Sequence, residues 1–192
     1  MITAHNNVSS FIEPFDAFVI DLWGVIHDGR ELYEGAAECL KSMREHGKKI
    51  VFLSNAPRRS FRAIDGLTQF GIAQDLYDGL VTSGEVTFER IRDGYHDLGN
   101  HVYILGPDRD NGLLDELEHI TRVNDPKDAD FAIVTGFDHD DATLEDVKPQ
   151  LDAMRTHNLH LICANPDMVV VRLTGKRALC AGVIAKAYEE MG

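Results

Sequence analysis

Six short apolar runs recur along the chain, and each is followed by turn residues and a segment with helical spacing. The runs are Ala17-Phe18-Val19-Ile20, Lys49 to Leu53, Asp78 to Val81, His101 to Leu105, Asp130 to Thr135 and His160 to Ala164. They are short, rich in β-branched and aromatic residues, and nearly unbroken by polar ones. That suits strands buried on both faces. Between them, apolar residues recur at helical spacing. Ala37, Leu40, Met43 and Arg44 lie in a helix over Ala36 to Glu45, with Gly47 at its C-terminal end. Pro57 suits the first turn of a helix running to Phe70, which Gly71 ends. Thr82 and Glu85 have capping-box spacing at the start of the next helix. Leu113, Leu114 and Leu117 mark another, Thr143 caps one carrying Leu144, Val147, Leu151 and Met154, and Ala178 to Met191 is the last. Alternation of strand and helix predicts an α/β fold with mostly parallel sheets. The best internal boundary lies near Thr82 to Gly84.

Charge narrows the partners. The formal net charge is −13 over 192 residues. Nucleic acid and anionic membranes need a basic patch, so neither is expected as a partner. A phosphorylated substrate stays open, because a bound cation inverts the local field. Cys39, Cys163 and Cys180 are widely spaced with no CxxC pair, and Cys39 and Cys163 read as reduced core residues. The N-terminal stretch lacks the basic start and apolar run of a signal peptide, and no apolar stretch reaches membrane-spanning length. A cytoplasmic protein is the expectation.

Ligands of open α/β sheets bind beyond the carboxyl ends of the strands. Two of those ends carry groups suited to phosphate. The first strand ends at Asp21, followed by Leu22-Trp23-Gly24-Val25, and the second at Ser54-Asn55. A carboxylate can attack phosphorus and form an aspartyl phosphate. Hydroxyl and amide groups can donate to phosphoryl oxygens, and a divalent cation offsets the repulsion between carboxylate and phosphate. Each feature alone is also ordinary turn chemistry. After Gly24, His27-Asp28-Gly29-Arg30 and Glu31-Leu32-Tyr33 read as a small hairpin or flap.

Jointly these residues resemble a known family. Phe18-Val-Ile-Asp-Leu-Trp-Gly-Val25 is similar to the first motif of the haloacid dehalogenase superfamily, and Val51-Phe-Leu-Ser-Asn55 to its second. Thr82-Ser-Gly-Glu85, Thr135-Gly-Phe-Asp138 and Ala164-Asn-Pro-Asp167 resemble subclass IIA, whose members include sugar phosphatases and nitrophenyl phosphatases. The resemblance implies an incomplete Rossmann-like core over residues 10–83 and 178–192, with an inserted α/β cap over 84–177. It implies Asp21 as nucleophile and Mg²⁺ ligand, with the backbone carbonyl of Trp23 as a second ligand. Gly24, Ser54 and Asn55 would hold the phosphoryl group. It implies a small phosphorylated metabolite, such as a sugar phosphate, as substrate, and allows a homodimer through the cap.

Two departures qualify that. The family's second aspartate, which protonates the leaving group, is Trp23 here, and indole has no titratable proton for the work. His27 or Asp28 are candidate substitutes, against the plainer reading of a solvated flap. The third motif's lysine and the fourth motif's acidic pair find no match, and Lys176 in Thr-Gly-Lys-Arg is badly placed. This predicts weak metal binding and little or no turnover. The alternative is a phosphometabolite-binding or interaction protein that kept the fold.

Other residues are weighed more lightly. Arg58 and Arg59 follow the second motif and would meet an anionic substrate or simply open a helix. The run Asp138 to Asp141 reads as acids favouring the dipole of the following helix, with Asp138 a substrate candidate by resemblance. Asn165 and Asp167 are turn residues around Pro166, or substrate contacts by resemblance.

Overall fold

The computed structural model describes residues 12–94, 96–172 and 174–192. The N-terminal stretch read above and the first residues of the expected core, 10 and 11, lie outside the described residues. Among these, no helix is long and apolar enough to cross a membrane. The chain divides by contact into two compact units: residues up to Ser54 with Ser60–Val81, and Asn55–Arg59 with Thr82–Gly192.

The first unit is built on a sheet in the order β1-β2-β3, with β1 at Ala17–Asp21, β2 at Lys49–Ser54 and β3 at Gly79–Thr82. β1 and β2 run parallel, from Ala17 opposite Lys49 to Asp21 opposite Leu53. Helices α1 (Ala36–Glu45) and α2 (Ser60–Gln69) supply the cover. Ile50, Phe52, Leu40, Met43, Leu67 and Ile72 form one buried cluster, each no more than 2% exposed. Removing such a side chain from water stabilises by roughly 1.5–3 kcal/mol. The other face of the sheet is bare: Val19, Leu53 and Val81 are all exposed. Asp78 ties β2 to the approach of β3. Its Oδ2 accepts from Ile50 N at 2.8 Å and from Arg44 Nη1 at 2.7 Å.

The second unit carries a four-stranded parallel sheet in the order β5-β4-β6-β7, with β4 at His101–Leu105, β5 at Thr121–Val123, β6 at Phe131–Val134 and β7 at His160–Cys163. All of β6 is fully buried, as its unbroken Phe-Ala-Ile-Val predicts. Strand alternation divides it between two cores. Phe131 and Ile133 pack with Phe88 and Ile91 of α3 (Ser83–Gly94) and with Leu113, Leu114 and Leu117. Ala132 and Val134 pack with Val147, Leu151 and Met154 of α4 (Leu144–Thr156). Thr143 and Asp146 close the capping box at the start of α4, with Thr143 N donating to Asp146 at 2.8 Å.

Three helices differ from the sequence expectation; one of them, α2, begins at Ser60, so Pro57 lies ahead of its first turn rather than in it. The leucines at 113–117 do not lie in an α-helix. A 3₁₀ segment, Asp108–Leu114, takes its place, with Asn111 Nδ2 donating to Asp108 at 2.8 Å. Asp, Asn and Gly favour such local bonding over helix, and burial of the leucines does not depend on helical geometry. The last helix, α5, begins only at Ala181 and runs to Glu190, because residues 177–179 form β9 of an antiparallel hairpin with β8, Val169–Val171. Finally, α5 does not close the first unit. It packs in the second, where Ile184 joins the Met154 cluster and Tyr188 Oη donates to Leu159 O at 2.8 Å. An apolar stripe shows that a helix packs, but not on which sheet.

Candidate active site

Asp21 is the last residue of β1 and is exposed. Its ladder partner is Leu53, so Ser54 stands one residue further on at the neighbouring strand tip. Adjacent parallel strands lie about 5 Å apart, which brings a carboxylate and a hydroxyl to the same sheet edge. Alternation puts the Asp21 side chain on the face of Leu53 and that of Ser54 on the other. The two side chains therefore leave the strand tips on opposite faces of the sheet. Ser54 is buried, at 7% exposure.

The turn after Asp21 is tightly wound. Asp21 Oδ1 accepts from Leu22 N at 2.7 Å, and Leu22 O accepts from Ile26 N at 2.9 Å and His27 N at 3.1 Å. Gly24, at φ 76°, supplies a left-handed turn that other residues resist, and its N–H donates to His27 O at 2.9 Å. That N–H, expected to serve phosphate, is committed to the turn in this conformation.

The flap is only partly solvated: Gly29, Arg30 and Glu31 are exposed, but Asp28 turns inward. Asp28 is buried at 6% exposure. It accepts from Arg30 N at 2.8 Å and Glu31 N at 3.0 Å. Those backbone N–H groups, Glu31's first, hold its carboxyl below the ordinary carboxylate range. A group kept charged in this way is a poor proton donor, so Asp28 is a turn residue. His27 Nδ1 accepts from Gly29 N at 2.9 Å, which puts the proton of the neutral ring on Nε2. Its ring lies 5.1 Å from Phe70 and 6.0 Å from Trp23. A Cβ on Gly29 would sit 2.5 Å from Trp23 Cη2, so the indole packs directly on the flap backbone. Where the family places an acid, this chain places a ring that pins the flap.

The residues after Ser54 belong to the second unit, and their bonds run there. Asn55 Nδ2 donates to Asp167 Oδ1 at 2.8 Å. Gly84 N donates to Ala56 O at 3.1 Å. Thr82 Oγ1 donates to Arg58 O at 2.5 Å and accepts from Glu85 N at 3.1 Å. The Glu85 N–H bond to Thr82 is one half of the expected capping box, and the Glu85 carboxylate takes Arg59 Nε at 3.0 Å. Arg59 also meets Glu116 at 2.8 Å and lies 3.4 Å over the Phe88 ring, so it is a structural anchor.

The remaining candidates separate. Asp167 N takes Asn165 Oδ1 at 3.1 Å, closing the turn around Pro166. Asp138 is exposed. Asp140 and Asp141 do not form a metal site: Arg172 takes Asp140 through two bonds, of 2.6 and 3.1 Å, and Lys176 takes Asp141 at 2.8 Å. No group of three or more His, Cys, Asp or Glu side chains that could hold a metal ion occurs among the described residues. The donor set for a hard cation at the strand tips is thus one carboxylate, Asp21, with backbone carbonyls. Mg²⁺ takes one or two protein carboxylates and completes its shell with water and phosphate. The residues fit such an ion weakly.

Known proteins are similar to this chain in sequence and in fold. The chain is 34% identical over 170 residues to the sugar phosphatase AraL of Bacillus subtilis (strain 168), a match covering 86% of this chain and 59% of AraL. It thus spans well under two thirds of that relative's length. A crystal structure of a haloacid dehalogenase-like hydrolase from Brucella suis 1330 superposes with a TM-score of 0.86 at 30% identity, covering 98% of this chain and 68% of that one. The 4-nitrophenylphosphatase of Thermotoga maritima superposes with a TM-score of 0.67 at 25% identity, covering 91% and 64%. Residues 18–120 match the family described as haloacid dehalogenase-like hydrolases, and the strand-tip Asp21 and Ser54 lie within that stretch. The chain belongs to this family and, by its relatives, to subclass IIA.

Proposed function

We propose that these residues form part of the phosphoryl-transfer site of a phosphatase acting on a small phosphorylated metabolite such as a sugar phosphate. The observation that carries this reading is the pairing of β1 with β2, which puts Asp21 and Ser54 at adjacent strand tips. In this reading Asp21 attacks phosphorus. The ester P–O bond breaks, an aspartyl phosphate forms, and water later attacks phosphorus to release inorganic phosphate and restore the carboxylate. Ser54, Asn55 and the backbone at Gly24 donate to the phosphoryl oxygens, the last after release from His27. Asp21 and the Trp23 carbonyl would hold Mg²⁺, which supplies charge neutralisation when bound. Residues 84–177 act as the cap, joined by α5, and Arg58, Asp138, Asn165 and Asp167 are its candidate substrate contacts.

The leaving alkoxide needs a proton, and Trp23 has none to give. A positioned acid contributes about 10²–10⁴-fold, so the chain itself turns over little or nothing. That favours a second reading, a phosphometabolite-binding or interaction protein, supported by the indole packed on Gly29.

Beryllium trifluoride with Mg²⁺ separates the readings. Fluorine NMR should show an acyl-phosphate mimic that is lost in Asp21→Asn. Sugar phosphate binding without that signal would favour the binding protein, and no affinity for phosphate would leave only the interaction role.

A further inference from the structure

Hydrolysis of a phosphate ester at Asp21 needs two proton transfers, one to the leaving oxygen and one from the attacking water. The turn after Asp21 holds its polar groups in other work. Trp23 stands two residues on, and its indole N–H neither gives nor takes a proton near neutrality. His27 Nδ1 accepts from Gly29 N at 2.9 Å, so the lone pair that a base would use is engaged. The proton on Nε2 belongs to a neutral ring, and making that ring an acid would put a second proton on Nδ1 and break the bond to Gly29. Asp28 is buried and takes the N–H groups of Arg30 and Glu31 at 2.8 and 3.0 Å, which keep it charged and weakly basic.

The rings cannot readily make way. Trp23 meets His27 edge-on at 6.0 Å, His27 lies 5.1 Å from Phe70, and a Cβ on Gly29 would sit 2.5 Å from the indole. Asp21 itself is exposed. Leu22 N fixes its Oδ1 at 2.7 Å, which leaves Oδ2 as the attacking oxygen.

We propose that the phosphoryl donor for Asp21 is an acyl phosphate, a mixed anhydride whose leaving group is a carboxylate, and that the reaction stops at the aspartyl phosphate. Asp21 Oδ2 forms the new O–P bond. The P–O bond to the acyl oxygen breaks, and its electron pair departs on the carboxylate. No proton moves, because a carboxylate with an ordinary value of about 4 leaves unprotonated. One carboxylate and one phosphoryl dianion stand on each side, and one mixed anhydride replaces another. An alkyl phosphate fails at the same step, because its alkoxide must be protonated. Release of the phosphoryl group needs a proton taken from water, and Trp23, His27 and Phe70 present no base for it. The inference rests on the reading of Asp21 as a phosphoryl acceptor and names the donor class that this site can use.

The test incubates the full chain with acetyl phosphate in buffer containing Mg²⁺ and follows intact mass and released acetate. The chain should gain a single phosphoryl group that hydroxylamine removes, with one equivalent of acetate and no further turnover. Asp21→Asn should gain none, and glycerol phosphate should leave the mass of wild type unchanged. Trp23→Asp should shorten the life of the phosphorylated state by about 10²-fold, whereas Trp23→Phe, which keeps a ring against Gly29, should not. Repeated acetate release by wild type, labelling by glycerol phosphate, label that persists in Asp21→Asn, or equal lifetimes in the two Trp23 variants would overturn the proposal. Beryllium trifluoride keeps the two ideas apart. Its mimic on Asp21 without any gain from acetyl phosphate sinks the donor class alone, and absence of both signals sinks the phosphoryl-transfer reading with it.

Discussion

The Asn55 side-chain amide donates to Asp167 Oδ1 at 2.8 Å across 112 residues of sequence. Asn55 is the residue after Ser54, and Asp167 precedes the β8–β9 hairpin and α5. The Asp167 carbonyl is itself fixed by Gly182 N at 3.0 Å. One N–H of the amide is thereby held and the other keeps a defined direction. A double-mutant cycle on Asn55→Ala and Asp167→Ala should give a coupling of about 0.5–1.5 kcal/mol in urea unfolding. Additive losses would show that the bond does not persist in solution.

Replacing an acid by Trp23 predicts a leaving-group effect. 4-Nitrophenolate departs without protonation, whereas an alkoxide does not. Any turnover should therefore be confined to 4-nitrophenyl phosphate, with glycerol phosphate left intact. Trp23→Asp should raise alkyl phosphate hydrolysis by about 10²-fold or more and change the aryl substrate much less. An equal rise for both substrates would mean that the substitution acts by freeing the flap.

Acid should act on the first unit through Asp78. The Ile50 N–H, followed by Arg44 and Lys49, holds its carboxyl below the ordinary carboxylate value. A carboxyl with a lower value folded than unfolded contributes stability that is complete above the unfolded value and is lost as pH falls through the folded one. The stability gap between wild type and Asp78→Asn should therefore be constant near neutrality and close below about pH 4. A gap that persists undiminished to about pH 2 would exclude this linkage.

How much of this was legible in the sequence depends on the kind of signal. The six apolar runs became strands because burial on both faces leaves an unbroken apolar pattern that survives without tertiary context. Asp21 and Ser54 were legible for the same reason, as polar residues that end such runs. The 3₁₀ segment at 108–114 was not, because buried leucines report burial and not the backbone that delivers it. The short strands β5 and β8 carry only three residues each, too few for a period. The destination of α5 depends on which sheet its stripe meets, and the ordered Asp28 depends on backbone N–H groups that sequence spacing does not display.

Two helical glycines make opposite predictions. Gly66 lies within α2, and a Cβ there would meet nothing within 4 Å. Gly66→Ala should stabilise by about 0.5–1 kcal/mol, the ordinary helix-propensity gain. Gly84 lies in the first turn of α3, where a Cβ would stand 2.3 Å from Arg58 N and 2.5 Å from Arg58 O. The obstacle is backbone, anchored by Thr82 Oγ1 on Arg58 O and by Gly84 N on Ala56 O. Neither side can yield without moving Asn55–Arg59. Overpacking typically costs about 1–3 kcal/mol, which outweighs the propensity gain, so Gly84→Ala should destabilise. Chemical denaturation of the two variants decides the matter. If both gain stability, the segment Asn55–Arg59 is not pressed against α3.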